Sequence, residues 1–280
     1  MPGVAVMIEN APQARPQSGL DQAEVIYEMM TEGGITRYLA LFNLAPGAAA
    51  LELGPVRSAR IYFVEIAKTT GLPLAHAGGN VDALAAIPRL GIANLDGLFA
   101  AAPYFQRISA RPAPHNLYTT LGDLMAGILH FHYPLHPIPA WPTGALPPGG
   151  TPTARASVLW DQNYLYSYRT SFVWTGAAYQ YYVNGTADLQ ADGQPILDPN
   201  VVILRAQVSP DPDPYTPGSI KYALTSGQGW VLRHGERFRV SWSFGPTGFS
   251  FRRGGQIMPL AAGKVFVQVL PEPTTATFSS

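Results

Sequence analysis

Two arginines three residues apart, Arg57 and Arg60 in the run Gly54-Pro-Val-Arg-Ser-Ala-Arg60, carry the most distinctive chemistry in the sequence. Gly54-Pro55 puts proline where a helix N1 residue belongs, and Val56, Phe63, Ile66 and Ala67 follow with roughly helical spacing, which predicts a helix over 55–69. On such a helix a spacing of three keeps both guanidinium groups on one face. Cations at a helix N-terminus oppose the dipole, so a compensating anion is expected. An arginine pair beside free N–H groups suits phosphate or carboxylate. The competing reading is internal neutralisation by Glu24, Glu28 or Glu32, and Arg15 and Arg37 are candidates to join either arrangement.

Three further groups invite chemistry. His76 ends a short apolar run and is followed by Gly78-Gly79, a position where open α/β sheets bind ligands and where a histidine can act as acid or base. The alternative is a core histidine bonded to nearby backbone. His115-Asn116 sits in a loop, where both side chains can donate and accept, or where Asn116 simply closes a turn. His130, His132 and His136 form H-x-H-x3-H, a spacing open to zinc, nickel or copper. Pro134 interrupts it and no carboxylate lies near in sequence, so no metal site is expected. Tyr179, Tyr181 and Tyr182 with Trp230 and Trp242 could stack on sugars, although alternating tyrosines on a strand more often divide into a buried and an exposed face. No Gly-x-Ser-x-Gly elbow and no P-loop is present.

The elements that must position these residues follow from periodicity. Residues 3–8 suit a buried strand, and the runs 25–30 and 35–44 flank Glu32-Gly33-Gly34 as a hairpin. A strand over 72–77 leads to a helix capped by Asn80 and ending before Pro88. Thr120 and Asp123 resemble a capping box opening a helix over about 120–130. Prolines crowd residues 134–153, the composition of a semi-rigid connection. Beyond it the pattern turns to β, with runs over 158–168, 179–183, 201–208, 230–232, 238–244 and 265–270, punctuated by Asn184-Gly185, His234-Gly235 and Gly254-Gly255 as hairpin turns. The predicted class is α+β: a mixed α/β N-terminal domain over 1–133, a linker over 134–153, and a mostly antiparallel β C-terminal domain over 154–280.

Composition removes several functions. The 18 basic and 18 acidic residues balance, which argues against a nucleic-acid partner. There is no cysteine, so no disulfide or thiolate chemistry contributes. Hydrophobic residues make up 47% of the chain, yet no run reaches the roughly 18 apolar residues of a membrane helix. The opening Met1-Pro-Gly-Val4 has no basic n-region or apolar h-region, so the expectation is a cytosolic protein or one whose targeting segment is absent from this sequence.

Seven phrases in order resemble the family called domain of unknown function 3048, the YerB-like lipoproteins: Val6-Met-Ile-Glu-Asn10, Ala14-Arg-Pro-Gln-Ser-Gly-Leu20, Tyr27-Glu28, Glu32-Gly-Gly-Ile-Thr-Arg37, Gly54-Pro-Val-Arg-Ser-Ala-Arg60, His76-Ala-Gly-Gly79 and Pro114-His-Asn-Leu-Tyr118. Looser matches follow at Asn200-Val-Val-Ile203, Ser226-Gly-Gln-Gly-Trp230, Gly263-Lys264 and Val267-Gln-Val-Leu-Pro271. The sequence departs from the family after Asn184-Gly185, where Thr186-Ala-Asp-Leu-Gln190 stands in place of a histidine and aspartate. The resemblance implies an extracytoplasmic bacterial lipoprotein of the cell envelope, with a signal peptide and lipid anchor upstream, and it assigns no activity. The residues then point to a binding or regulatory module with an anionic cleft ligand, taken by Arg57, Arg60, Arg37, His76, His115, Asn116 and Glu24; its expected partners are an anionic small molecule or an envelope component. The alternative rests on a shorter likeness, Ala23-Glu-Val-Ile26, Ser58-Ala-Arg60 and Ala75-His-Ala-Gly-Gly79, which is similar in order to LytR-CpsA-Psr phosphotransferases. That likeness implies arginines clamping a pyrophosphate and Glu24 helping to hold Mg2+; otherwise no cofactor is expected.

Overall fold

The computed structural model describes residues 1–161 and 168–280. Part of the strand predicted over 158–168 therefore lies outside the described residues. The principal elements are β1 (Gly3–Glu9), β2 (Val25–Met30), β3 (Thr36–Asn43), α1 (Ile61–Thr70), β4 (Leu74–His76), α2 (Val81–Arg89), β5 (Asn94–Asp96) and α3 (Leu121–His130) in the first half. The second half supplies β6 (Arg155–Asp161), β7 (Tyr168–Trp174), β8 (Tyr179–Val183), β9 (Asn200–Ala206), β10 (Ser226–Arg233), β11 (Glu236–Gly245), β12 (Gly248–Arg253), β13 (Val265–Pro271) and β14 (Ala276–Ser279).

The fold is α+β, and one 12-stranded sheet runs through both halves in the order Gln256–Ile257, β12, β11, β10, β9, β13, β2, β3, β1, β4, β5, with Thr151–Pro152 paired to β11. The joint between halves is β13 on β2, a parallel pairing from Val265↔Val25 to Val269↔Met29. The halves thus share hydrogen bonds and a hydrophobic cluster rather than merely touching. β6, β7 and β8 form a second sheet with β14. It covers the face of the main sheet that presents Tyr38 and Phe266; Phe266 sits 5.0 Å from Phe172 and 4.9 Å from Tyr181, ring centre to ring centre. Tyr27 follows the strand alternation onto the other face, beside Trp141 and Phe249. With both faces covered, β2 is buried along its whole length and β3 at all but its last residue, rather than at alternate positions.

Asn80 caps α2, its Oδ1 accepting from Ala83 N at 3.3 Å, and Thr120 caps α3 by accepting from Asp123 N at 3.1 Å. The predicted stop before Pro88 is corrected: α2 runs to Arg89, because a proline in the last turn forfeits one hydrogen bond at an end that frays anyway. The helix predicted over 55–69 is corrected more strongly. It begins at Ile61, and residues 55–60 are extended across the end of β1, with Glu9 N bonded to Pro55 O, Arg57 N to Met7 O and Ala77 N to Arg57 O, each between 2.9 and 3.1 Å. Those backbone groups are already engaged, so Arg57 and Arg60 do not share a helical face.

Candidate functional site

β1, β4 and β5 are parallel neighbours, so their carboxyl ends meet at one end of the sheet. The loops leaving β4 and β5, with the extended segment 56–58 and residues from the later chain, build a cleft of about 430 Å³ lined by Arg57, Ser58, Gly78, Gly79 and Arg107, among others. A crevice at the carboxyl ends of parallel strands is where open sheets hold ligands, since the strands stop and the loops diverge.

Arg57 is placed by its extended backbone and by Glu9, the last residue of β1. Its Nε–H donates to Glu9 Oε1 at 3.1 Å, and no terminal nitrogen of Arg57 donates to a protein acceptor among the described residues. The second Glu9 oxygen lies 3.0 Å from His115 Nδ1, which orients the imidazole and leaves Nε2 without a protein partner there. Arg107 Nη1 donates to Asn116 Oδ1 at 2.7 Å, while Asn116 Nδ2 donates to Ile108 O at 3.2 Å. Asn116 therefore steadies Arg107 instead of reaching the cleft. Two guanidiniums held from behind, with donors to spare, suit an anionic oxygen group.

The other predicted site residues lie elsewhere. Arg60 pairs with Glu32, Nε to Oε2 at 2.9 Å and Nη2 to Oε1. Arg37 donates to the same carboxylate at 3.4 Å and to Ser58 O at 2.9 Å, and Arg60 Nη1 donates to Ala59 O at 2.7 Å. Both arginines are buried and fasten the carbonyls of residues 58 and 59, so they position the segment that carries Arg57. Burial pushes the Glu32 carboxyl up, but Arg37 and Arg60 outweigh it and hold the group down at about 2. Arg37, with its guanidinium taken from water beside Arg60, falls to about 10 in spite of Glu32. His76 is wholly buried, Nδ1 2.8 Å from Gly78 O and Nε2 2.7 Å from Asn94 Oδ1, so it braces the floor loop. Glu24 precedes β2 at the opposite end of the sheet, where it accepts from Asn43 Nδ2 at 2.7 Å. Its amide pairs with Leu41, four strand residues from Arg37, on the order of 13 Å along β3. Tyr179 and Tyr181 are buried in the sheet interface rather than offered to a sugar.

Glu9 and Arg107 escaped the sequence reading. Glu9 had a signal, an acid closing an otherwise apolar strand; Arg107 had none, because its place depends on a loop folding back. A second unforeseen group lies between the sheets. The wholly buried Glu28 carboxylate accepts from Thr36 at 2.7 Å, Gln268 at 2.7 Å, Tyr168 at 3.1 Å and Tyr181 at 3.0 Å to each oxygen. Burial pushes it up to about 7 against those hydrogen bonds. Arg15 belongs here, bonded to Asn10 and lying 5.1 Å over the Tyr168 ring.

This fold and its motifs define a known class. The sequence pattern of the N-terminal domain of the family described as protein of unknown function (DUF3048) matches residues 2–133, and that of its C-terminal domain matches residues 157–267. The chain belongs to this family. It is 27% identical over 99% of its length to "Putative lipoprotein YerB" of Bacillus subtilis (strain 168), covering 83% of that protein. The crystal structure of YerB protein from Bacillus subtilis superposes with a TM-score of 0.87 at 23% identity, over 99% of this chain and 93% of that one, a likeness of fold.

Proposed function

We propose that this chain is the extracytoplasmic part of a bacterial cell-envelope lipoprotein, anchored by a lipid upstream, and that it works as a binding or regulatory module for an anionic ligand. The envelope placement is supported by the name of its Bacillus relative, and no helix among the described residues is long and apolar enough to cross a membrane. The binding role rests on one observation: Arg57 is tethered to Glu9 through Nε alone, which leaves its terminal nitrogens to a ligand facing Arg107 across the cleft. Binding is favoured over the phosphotransferase alternative because Glu24, the residue that alternative assigns to Mg2+, sits at the far end of the sheet.

Thermal unfolding with inorganic phosphate or pyrophosphate tests the reading. A ligand at a hundredfold excess over Kd stabilises by about 2.7 kcal/mol, a rise of roughly 5 °C or more for a chain of this size. Arg57→Ala with Arg107→Ala is expected to abolish the ligand-induced rise, measured against that variant's own unliganded melting point, which falls because the buried Glu9 carboxylate loses its guanidinium partner. An equal rise in that variant, or none in the parent protein, contradicts the reading.

A further inference from the structure

The mouth of the Arg57 and Arg107 cleft is apolar. Leu98 and Phe99 are 47% and 69% exposed, Leu84 is 37% exposed, and all three line the same cleft as the arginines. Single exposed hydrophobic side chains are ordinary, but a cluster at the rim of a polar site marks a surface that meets something apolar.

The rim is built, not frayed. Asp96 Oδ1 accepts from Gly78 N and Leu98 N, both at 3.0 Å, and Phe99 N donates to Asp96 O at 3.1 Å, so one carboxylate ties the floor loop to the turn that carries the apolar pair. A Cβ on Gly78 would lie 3.3 Å from Leu98 Cδ1, and one on Gly79 would lie 3.3 Å from Leu84 Cδ2. The two glycines thereby let both leucines come down onto the floor. Hydrocarbon from Leu84, Leu98 and Phe99 and the guanidiniums of Arg57 and Arg107 thus line one cleft.

Resting on the anion-binding reading above, we propose that the ligand is an amphipathic anion, with a phosphate-type head taken by Arg57 and Arg107 and an aliphatic tail lying across Leu84, Leu98 and Phe99. The head supplies charge complementarity, and the tail removes from water the apolar surface that the fold leaves exposed. The same head chemistry occurs on a soluble alkyl phosphate and on a phospholipid in a bilayer.

Calorimetric titration with inorganic phosphate, butyl phosphate, octyl phosphate and octanol tests the proposal. Full burial of the four extra methylenes is worth on the order of 200-fold in affinity and half burial still more than about tenfold. Octyl phosphate is therefore expected to bind at least about tenfold more tightly than butyl phosphate, with octanol far weaker. Phe99→Ser, at the most exposed rim position, and Leu98→Ser with Phe99→Ser are expected to level the series towards inorganic phosphate, whereas Arg57→Ala removes binding of inorganic phosphate and of both alkyl phosphates. Sedimentation with phosphatidylcholine vesicles, with and without phosphatidic acid, distinguishes the sources: retention by phosphatidic acid assigns the head to a bilayer, and octyl phosphate binding without retention assigns it to a soluble ligand. A flat series with inorganic phosphate still bound overturns the tail and leaves the anion site standing. Octanol binding as tightly as octyl phosphate overturns the head, and no binding by any probe overturns both readings.

Discussion

Glu9 Oε1 accepts from Arg57 Nε at 3.1 Å while Glu9 Oε2 lies 3.0 Å from His115 Nδ1, so one buried carboxylate fixes two side chains from distant segments, of which Arg57 lines the cleft. Lysine at position 57 keeps the charge and loses both the Nε tether and the planar fork. Arg57→Lys is expected to weaken phosphate binding about tenfold, the loss of one charge-assisted bond, with little change in melting temperature. Unchanged affinity on titration would show that charge alone suffices there and that the tether is incidental.

Arg60 is expected to behave in the opposite way. Removing it leaves Glu32 with Arg37 at 3.4 Å as its remaining ion-pair partner and frees the carbonyl of Ala59. Arg60→Ala is expected to cost about 2–4 kcal/mol in chemical denaturation, somewhat below the roughly 3–5 kcal/mol of a fully buried pair because the Glu32 side chain is 27% exposed. Because the folded Glu32 carboxyl sits at about 2, below its ordinary value of 4.5, its contribution is present above pH 4.5 and is lost as pH falls towards 2. Glu32→Gln should accordingly flatten the acid limb of the stability curve.

Glu28 contributes with the reverse sign. Its folded value near 7 exceeds the ordinary 4.5, so the folded state holds a proton that the unfolded state has released, and stability falls as pH rises from 4.5 to 7, by on the order of 3 kcal/mol. Asp188 and Asp198, raised by burial to about 6 and about 7, act in the same direction, so the test is the difference between variant and parent. Glu28→Gln should reduce that decline, measured by denaturant titration across the interval. An identical decline in the variant would place the effect on the other carboxyls that burial raises, Asp188, Asp198 and Glu65.

Gly78 occupies the left-handed region at φ +64° beneath Leu98. Gly78→Ala adds backbone strain of about 1 kcal/mol and presses a methyl group against Leu98 Cδ1. The expected result is a lower melting temperature together with weaker anion binding, because the floor loop carries both. Loss of stability with full binding would show that the loop is only structural.

Much of the fold was legible where local chemistry decides. Asn184-Gly185 and His234-Gly235 adopt the positive φ values, 49° and 84°, then 52° and 74°, that two-residue hairpins demand. The caps at Asn80 and Thr120 form as their side chains dictate. The segment 55–60 misled because Gly54-Pro55 serves an extended chain as readily as a helix start. What decided was a distant strand end, Met7 O and Glu9 N, which no window around Arg57 contains. The candidate site divided for the same reason. Arg57 and His115 meet only through Glu9, 48 and 106 residues away, and Arg60 turns to Glu32 instead of joining them. The β13 to β2 pairing, which merges the halves into one sheet, is likewise invisible to periodicity because it joins residues 265 and 25.

The position of a bound anion is the most direct test of the central claim. In crystals grown or soaked with phosphate, the anion is expected in the cleft at the carboxyl ends of β1, β4 and β5, with the terminal nitrogens of Arg57 and the side chain of Arg107 within about 2.7–3.2 Å of its oxygens. The Glu32 pairs with Arg37 and Arg60 should remain closed. Phosphate seated at Arg60 with the cleft empty, or no ordered phosphate beside Arg57 at a concentration that raises the melting temperature, would contradict it.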